Sequence, residues 1–148
     1  MMFGFNEPLA VVAGVFHIIN HATFKAGLFM AAGIIDHETG SRDMRRLNGL
    51  WSYMPLTATL ATVAAAAMAG VPLANGFLSK EMFLAATLEK DAAPWVELVL
   101  PLGAGLASIL AVAYSARFIH DTFFNGEPHE LPNMHPHDPP LFMWVPVA

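Results

Sequence analysis

Three titratable side chains recur at four-residue spacing inside otherwise apolar sequence: His17, His21 and Lys25. At about 100° per residue they drift by only ~80° in total, so on a helix they share one face. Their Cα atoms climb that face over ~12 Å. Asn20 lies about 60° to one side of His17. A charged lysine at the centre of a bilayer costs ~3 kcal/mol on insertion scales, and ionisable groups kept at such depth usually face a bundle interior or water. An imidazole exchanges protons near neutral pH, and burial disfavours the charged form of any such group. The chemistry on offer is proton transfer along the ladder by way of water. The competing reading has Lys25 snorkelling or paired, and the histidines bonding neighbouring helices. The regular spacing tilts the choice toward proton transfer.

Lys80 is the second candidate. It sits in Gly76-Phe77-Leu78-Ser79-Lys80-Glu81, just after a Gly- and Pro-containing stretch from Gly70 to Gly76. A broken helix frees backbone carbonyls and N–H groups, and transporters place ion sites at such breaks. Glu81 is a secondary candidate, as partner or later stop; a plain interface Lys–Glu pair is the alternative. Arg117 ends a later apolar run, where a cytoplasmic-side anchor is expected and an ion-exit role is secondary.

Metal and cofactor chemistry find little support. His17 and His21 have HxxxH spacing, but Ile18 stands where a zinc protease motif needs Glu. No carboxylate in that segment offers a third ligand. Haem would need a histidine on another helix, and only His120 lies in another apolar run. His129, His135 and His137 are interleaved with prolines, which prevents helical ligand spacing; that stretch reads as a solvated loop. No metal or cofactor is expected.

The elements that must position these groups follow from composition. Of 148 residues, 55% are hydrophobic and 13% charged, and the mean hydropathy is +0.50. That is about half the usual charged fraction, and it argues against disorder and against a water-soluble enzyme. The net charge of −5 with seven Lys+Arg leaves no basic surface for nucleic acid. Cysteine is absent, which excludes disulfides and thiol chemistry. No Lys or Arg precedes Lys25, so the positive flank of a signal peptide is missing.

An all-α polytopic transmembrane bundle is expected, with about three full membrane helices and the start of a fourth. The first helix is placed at residues 8–35, opening on Pro8, with Asn6 or Glu7 suited to its positive end. The second is placed at 55–88. Unbroken, it would be ~50 Å long against a ~30 Å hydrocarbon core. It is therefore read as half-helices Leu56–Ala69 and Phe77–Leu88, with irregular backbone between them. The third occupies 94–124, where Pro101, Gly103 and Gly105 suggest a kink or a close helix contact. Residues 141–148 begin an apolar run too short to span, so the chain is expected to be part of a larger membrane protein. Trp51, Tyr53, Trp95 and Trp144 fall near segment ends, as interface aromatics do. The connector 36–50 holds Arg42, Arg45 and Arg46, whereas the one near 89–97 holds Lys90 alone. The first is thus assigned to the cytoplasm.

The run from Phe16 to Phe29, FHIINHATFKAGLF, resembles the HxxxHxxxK helix of the proton-conducting antiporter family. That family includes antiporter-like subunits of respiratory complex I and the A and D subunits of the multisubunit Mrp-type Na+/H+ antiporter. Gly76–Glu81 looks like the family's later broken-helix motif with its buried lysine. Asp36–Asp43, DHETGSRD, is most similar to Mrp A subunits. The resemblance covers roughly Pro8 to Gly126. It implies a core of fourteen helices, of which this chain would supply the eleventh to thirteenth and the start of the fourteenth. It further implies a hydrated mid-membrane relay through His17, His21 and Lys25, with Lys80 as the terminal lysine, Glu81 as a neighbouring acid, and protons exchanged for Na+, K+ or Li+. The implied setting is a bacterial inner membrane, with the other antiporter subunits and lipid as partners. A proton-pumping subunit of a quinone-reducing complex is the alternative within the family, and a structural assembly protein the alternative outside it. The family's first-half Glu–Lys pair and further central lysine are not in this chain, and no cation site is identifiable in it.

Overall fold

The computed structural model describes residues 8–88, 94–132, 135–140 and 143. These residues are helical with irregular connections. α1 is Pro8–Thr39, α2 Pro55–Ala69, α3 Asn75–Leu88 and α4 Pro94–Ile119; a 3-10 turn covers Leu50–Ser52, and a π turn, His120–Phe124, prolongs α4. Two stretches, Ala10–Thr39 and Trp95–Phe124, are long and apolar enough to cross a membrane. The all-α class and the broken helix are as expected from the sequence. Asn6, Glu7, Lys90, Trp144 and the expected helix at 141–148 lie outside the described residues, apart from Met143.

Proline opens α1, α2 and α4, where its missing N–H costs no hydrogen bond. α2 ends on Gly70 in the left-handed region (φ 84°), whose N–H bonds back to Ala66 and Ala67. A tight turn follows: the Ala74 N–H donates to the Val71 carbonyl at 3.0 Å. Pro72 and Leu73 are its central pair, with Leu73 at φ 78°. That is a type II pattern with leucine where glycine is usual. Asn75 then starts α3.

α1 runs antiparallel along the whole broken helix. Its N-terminal Ala10 and Ala13 pack with Met82 and Phe83 of α3 and Leu100 of α4. Phe24 meets Ala67, Met68 and Ala74 at the break. Ala31 and Ile35 join Ala58, Ala61, Leu47, Leu50, Phe123 and Leu131 at the far end. The buried positions of α1 recur every three or four residues, as one helix stripe must. Alanines on α2 let the backbones approach closely.

Two local expectations change. α1 continues past Ile35 to Thr39, because its last turn is held: the Thr39 hydroxyl donates to the Ile35 carbonyl at 2.6 Å, and buried Glu38 meets His37 and His137 at 3.1 and 3.2 Å. At Gly103 and Gly105 an added Cβ would meet nothing within 4 Å among the described residues. The Pro- and His-rich stretch is not simply solvated. His135 and His137 are exposed, but Leu131, Pro136 and Pro139 are buried. Asp138 accepts hydrogen bonds from the Leu56 N–H (3.2 Å), the Thr57 N–H (3.1 Å) and the Thr57 hydroxyl (2.9 Å). The start of α2 needs an acceptor for its free N–H groups, and Met54 at its N-cap supplies none.

The connector between α1 and α2 lies at the same end and is laced with ion pairs, Arg42 to Asp36 and Arg45 to Asp43. Hydrogen bonds from the Arg45 side chain and backbone N–H hold the Asp43 carboxyl below the usual carboxylate range.

Candidate functional site

The helix break and the polar face of α1 meet at mid-height. His17 is half-buried, and its Nδ1 lies 3.2 Å from the Ser79 hydroxyl oxygen. Ser79 is fully buried in the second turn of α3, and its hydroxyl donates to the Gly76 carbonyl at 3.2 Å. Lys80, the next residue, turns its ammonium to the Ala69 carbonyl at 3.0 Å. That oxygen belongs to the last turn of α2, where carbonyls lack intrahelical partners and the helix dipole is negative. The broken helix thus supplies the cation's acceptor from its own freed backbone.

Two glycines make room. A Cβ on Gly70 would lie 3.0 Å from the Lys80 Cδ. A Cβ on Gly76 would overlap the Ala67 carbonyl oxygen, so the start of α3 lies against the end of α2 only because Gly76 has none.

Asn20 sits on α1 between His17, which faces Ser79, and Phe24, which packs at the break. It is 8% exposed, and its amide nitrogen has no hydrogen-bond partner among the described residues. His21 is exposed; its ring centroid is 5.8 Å from that of His17 and 5.3 Å, edge to face, from that of Phe24. Lys25 is half-buried with its ammonium 5.9 Å from the Phe29 ring centroid. It lines a cavity of about 90 Å³ with Leu28, Met68, Tyr114 and Phe118.

The ladder therefore changes surroundings as it climbs. His17 faces α3, His21 faces outward and Lys25 borders the side of α4. The drift of about 40° per step does this. Glu81 is exposed, and the Lys80 ammonium goes to a backbone carbonyl rather than to it. Arg117 is exposed at the connector end, paired with Asp121 at 3.3 Å, and borders a separate cavity of about 400 Å³ with Met44, Arg45 and Asn48. The structure brings His17 and Lys80 to the break, buries Asn20 on α1 one turn further along, and leaves Arg117 away from the break. Ser79 carries no mark in the sequence, because its partner His17 is 62 residues away and no local pattern joins them.

Comparison with known proteins adds family evidence. Residues 1–107 match the family described as NADH:quinone oxidoreductase/Mrp antiporter, TM. The chain is 58% identical over 147 residues to the A/B component of a probable K(+)/H(+) antiporter of Rhizobium meliloti, covering 99% of this chain and 15% of that protein. It is 43% identical over 153 residues to the A component of the Na(+)/H(+) antiporter of Bacillus subtilis, covering 97% of this chain and 19% of that one. In the solved Mrp complex of Dietzia sp. DQ12-45-1b, one chain superposes with a TM-score of 0.81 at 37% identity, over 99% of this chain and 15% of its own. The chain thus spans between 15% and 19% of the length of these relatives.

Proposed function

We propose that this chain, which belongs to the NADH:quinone oxidoreductase/Mrp antiporter family, forms part of the A-type component of a cation/proton antiporter and carries a segment of its proton relay. It is a transporter segment rather than an enzyme. His17, His21 and Lys25 are the relay groups of α1, and Lys80 is the terminal group at the break. Asn20, whose buried amide has a donor to spare, sits where water threading the relay is to be held. Glu81 and Arg117 are secondary. The working protein sits in a bacterial inner membrane with the other antiporter subunits and lipid around it, the Arg-bearing connector on the cytoplasmic side.

One observation carries this reading. The His17 ring on α1 lies 3.2 Å from the hydroxyl of Ser79, the residue next to Lys80 on α3, and the Lys80 ammonium sits on the Ala69 carbonyl across the break. This supports reading the foot of the ladder and the break as one site. The relatives are named for either Na+ or K+; Na+ is the cation proposed here, and K+ is measured beside it.

The test replaces Lys80 by alanine in the full-length protein within the assembled complex. Everted membrane vesicles are energised, and collapse of the pH gradient on adding Na+ or K+ is followed. Exchange is expected to fall by about a hundredfold or more, the range of a lost acid–base group, with assembly intact. Exchange that persists at the wild-type rate per assembled complex, with any loss confined to the amount assembled, would make Lys80 structural and overturn the proposal.

A further inference from the structure

We infer that Ser79 is a positioning residue that fixes which nitrogen of His17 handles protons. The inference rests on the relay reading above and deepens it.

Ser79 is 1% exposed, and a hydroxyl carries a single proton. Two acceptors stand 3.2 Å from the hydroxyl oxygen, the Gly76 carbonyl oxygen and, in one tautomer, His17 Nδ1. Donation to the carbonyl satisfies both contacts at once, because His17 Nδ1–H can then donate to the hydroxyl oxygen, whereas donation to Nδ1 leaves the carbonyl contact unmade. On this assignment His17 Nδ1 carries its own hydrogen. A neutral imidazole has one N–H, so Nε2 is the bare acceptor.

The consequence for proton traffic is direct. An incoming proton binds Nε2 and gives an imidazolium whose Nδ1–H still points at Ser79. Only the Nε2 proton can leave productively. The Nδ1 side is closed, because the hydroxyl's acceptor is a backbone carbonyl, which is not a base. Ser79 is thus a lock rather than a carrier. It keeps protons from leaving the relay into the α1–α3 contact, and it keeps Nε2 free for exchange with His21, one helical turn away, or with water.

The experiment uses the full complex with 15N-labelled histidine, the His17 signals being assigned by difference against His17→Gln. Neutral His17 is expected as the Nδ1–H form. Ser79→Ala should shift it to a mixture or to the Nε2–H form and lower exchange per assembled complex by about tenfold. Ser79→Thr, which keeps a hydroxyl, should restore both. An unchanged tautomer, or unchanged exchange in Ser79→Ala, overturns the inference. So does a loss of assembly in both variants with the rate per complex unchanged, since Ser79 would then only pack. If Lys80→Ala leaves exchange intact, the relay reading itself fails, whatever Ser79 does.

Discussion

Gly76 sets how closely the two half-helices approach, and Gly70 sets the pocket for the Lys80 stem. Each admits a test by a single methyl group. Gly76→Ala forces a Cβ into the Ala67 carbonyl, a backbone atom that cannot swing away. A loss of about 1–3 kcal/mol is expected, as for overpacking, read as a lower melting temperature of the purified complex. Gly70→Ala adds a Cβ at φ 84° and crowds the flexible Lys80 stem. It should cost about 1 kcal/mol through the left-handed backbone. It should also lower exchange, because the ammonium loses its seat on the Ala69 carbonyl. Unaltered exchange in Gly70→Ala would show that this seat is not needed for transport.

At the scale of elements, the outer end of α2 is tied from far along the chain. Asp138 caps the first turn of α2 across 81 residues of sequence. Asp138→Ala is expected to cost about 1 kcal/mol, the usual worth of an N-cap. Amide hydrogen exchange at Leu56 and Thr57 should accelerate, with that of α3 unchanged. Asp138→Asn, which keeps an acceptor oxygen, should recover most of the protection. If these amides stay protected in Asp138→Ala, water or a neighbouring group caps them equally well, and Asp138 is not what holds α2.

For the molecule as a whole, the end of α1, the start of α2 and the segment around Asp138 share one end, and the outer end of α3 lies at the other. α4 presents Leu98, Leu102, Leu106, Ile109 and Leu110 outward, as a face meant for lipid or further helices does. Cysteine is absent from these 148 residues, so single cysteines placed in them report sidedness once any cysteines elsewhere in the full-length protein are replaced. In the full-length protein, Ser41→Cys should react with a membrane-impermeant maleimide from the cytoplasmic side only. Leu88→Cys should react from the other side only. Labelling of both from one side would refute the proposed topology.

The sequence alone determined the class of the molecule, the place of the break and the titratable groups. Each of these is written locally: apolar length for the spans of α1 and α4, Gly70 to Gly76 for the break, four-residue spacing for His17, His21 and Lys25. Tertiary structure alone decided which of these groups meet. That Ser79 joins His17, that Lys80 seats on Ala69 rather than Glu81, and that Asp138 caps α2 all depend on side chains meeting backbone or side-chain partners 11 to 82 residues away. Periodicity fixes the angle of a side chain about its own helix axis. It carries no information about which helix stands opposite, and the cost of leaving a buried polar group unpaired is settled only once that neighbour is in place.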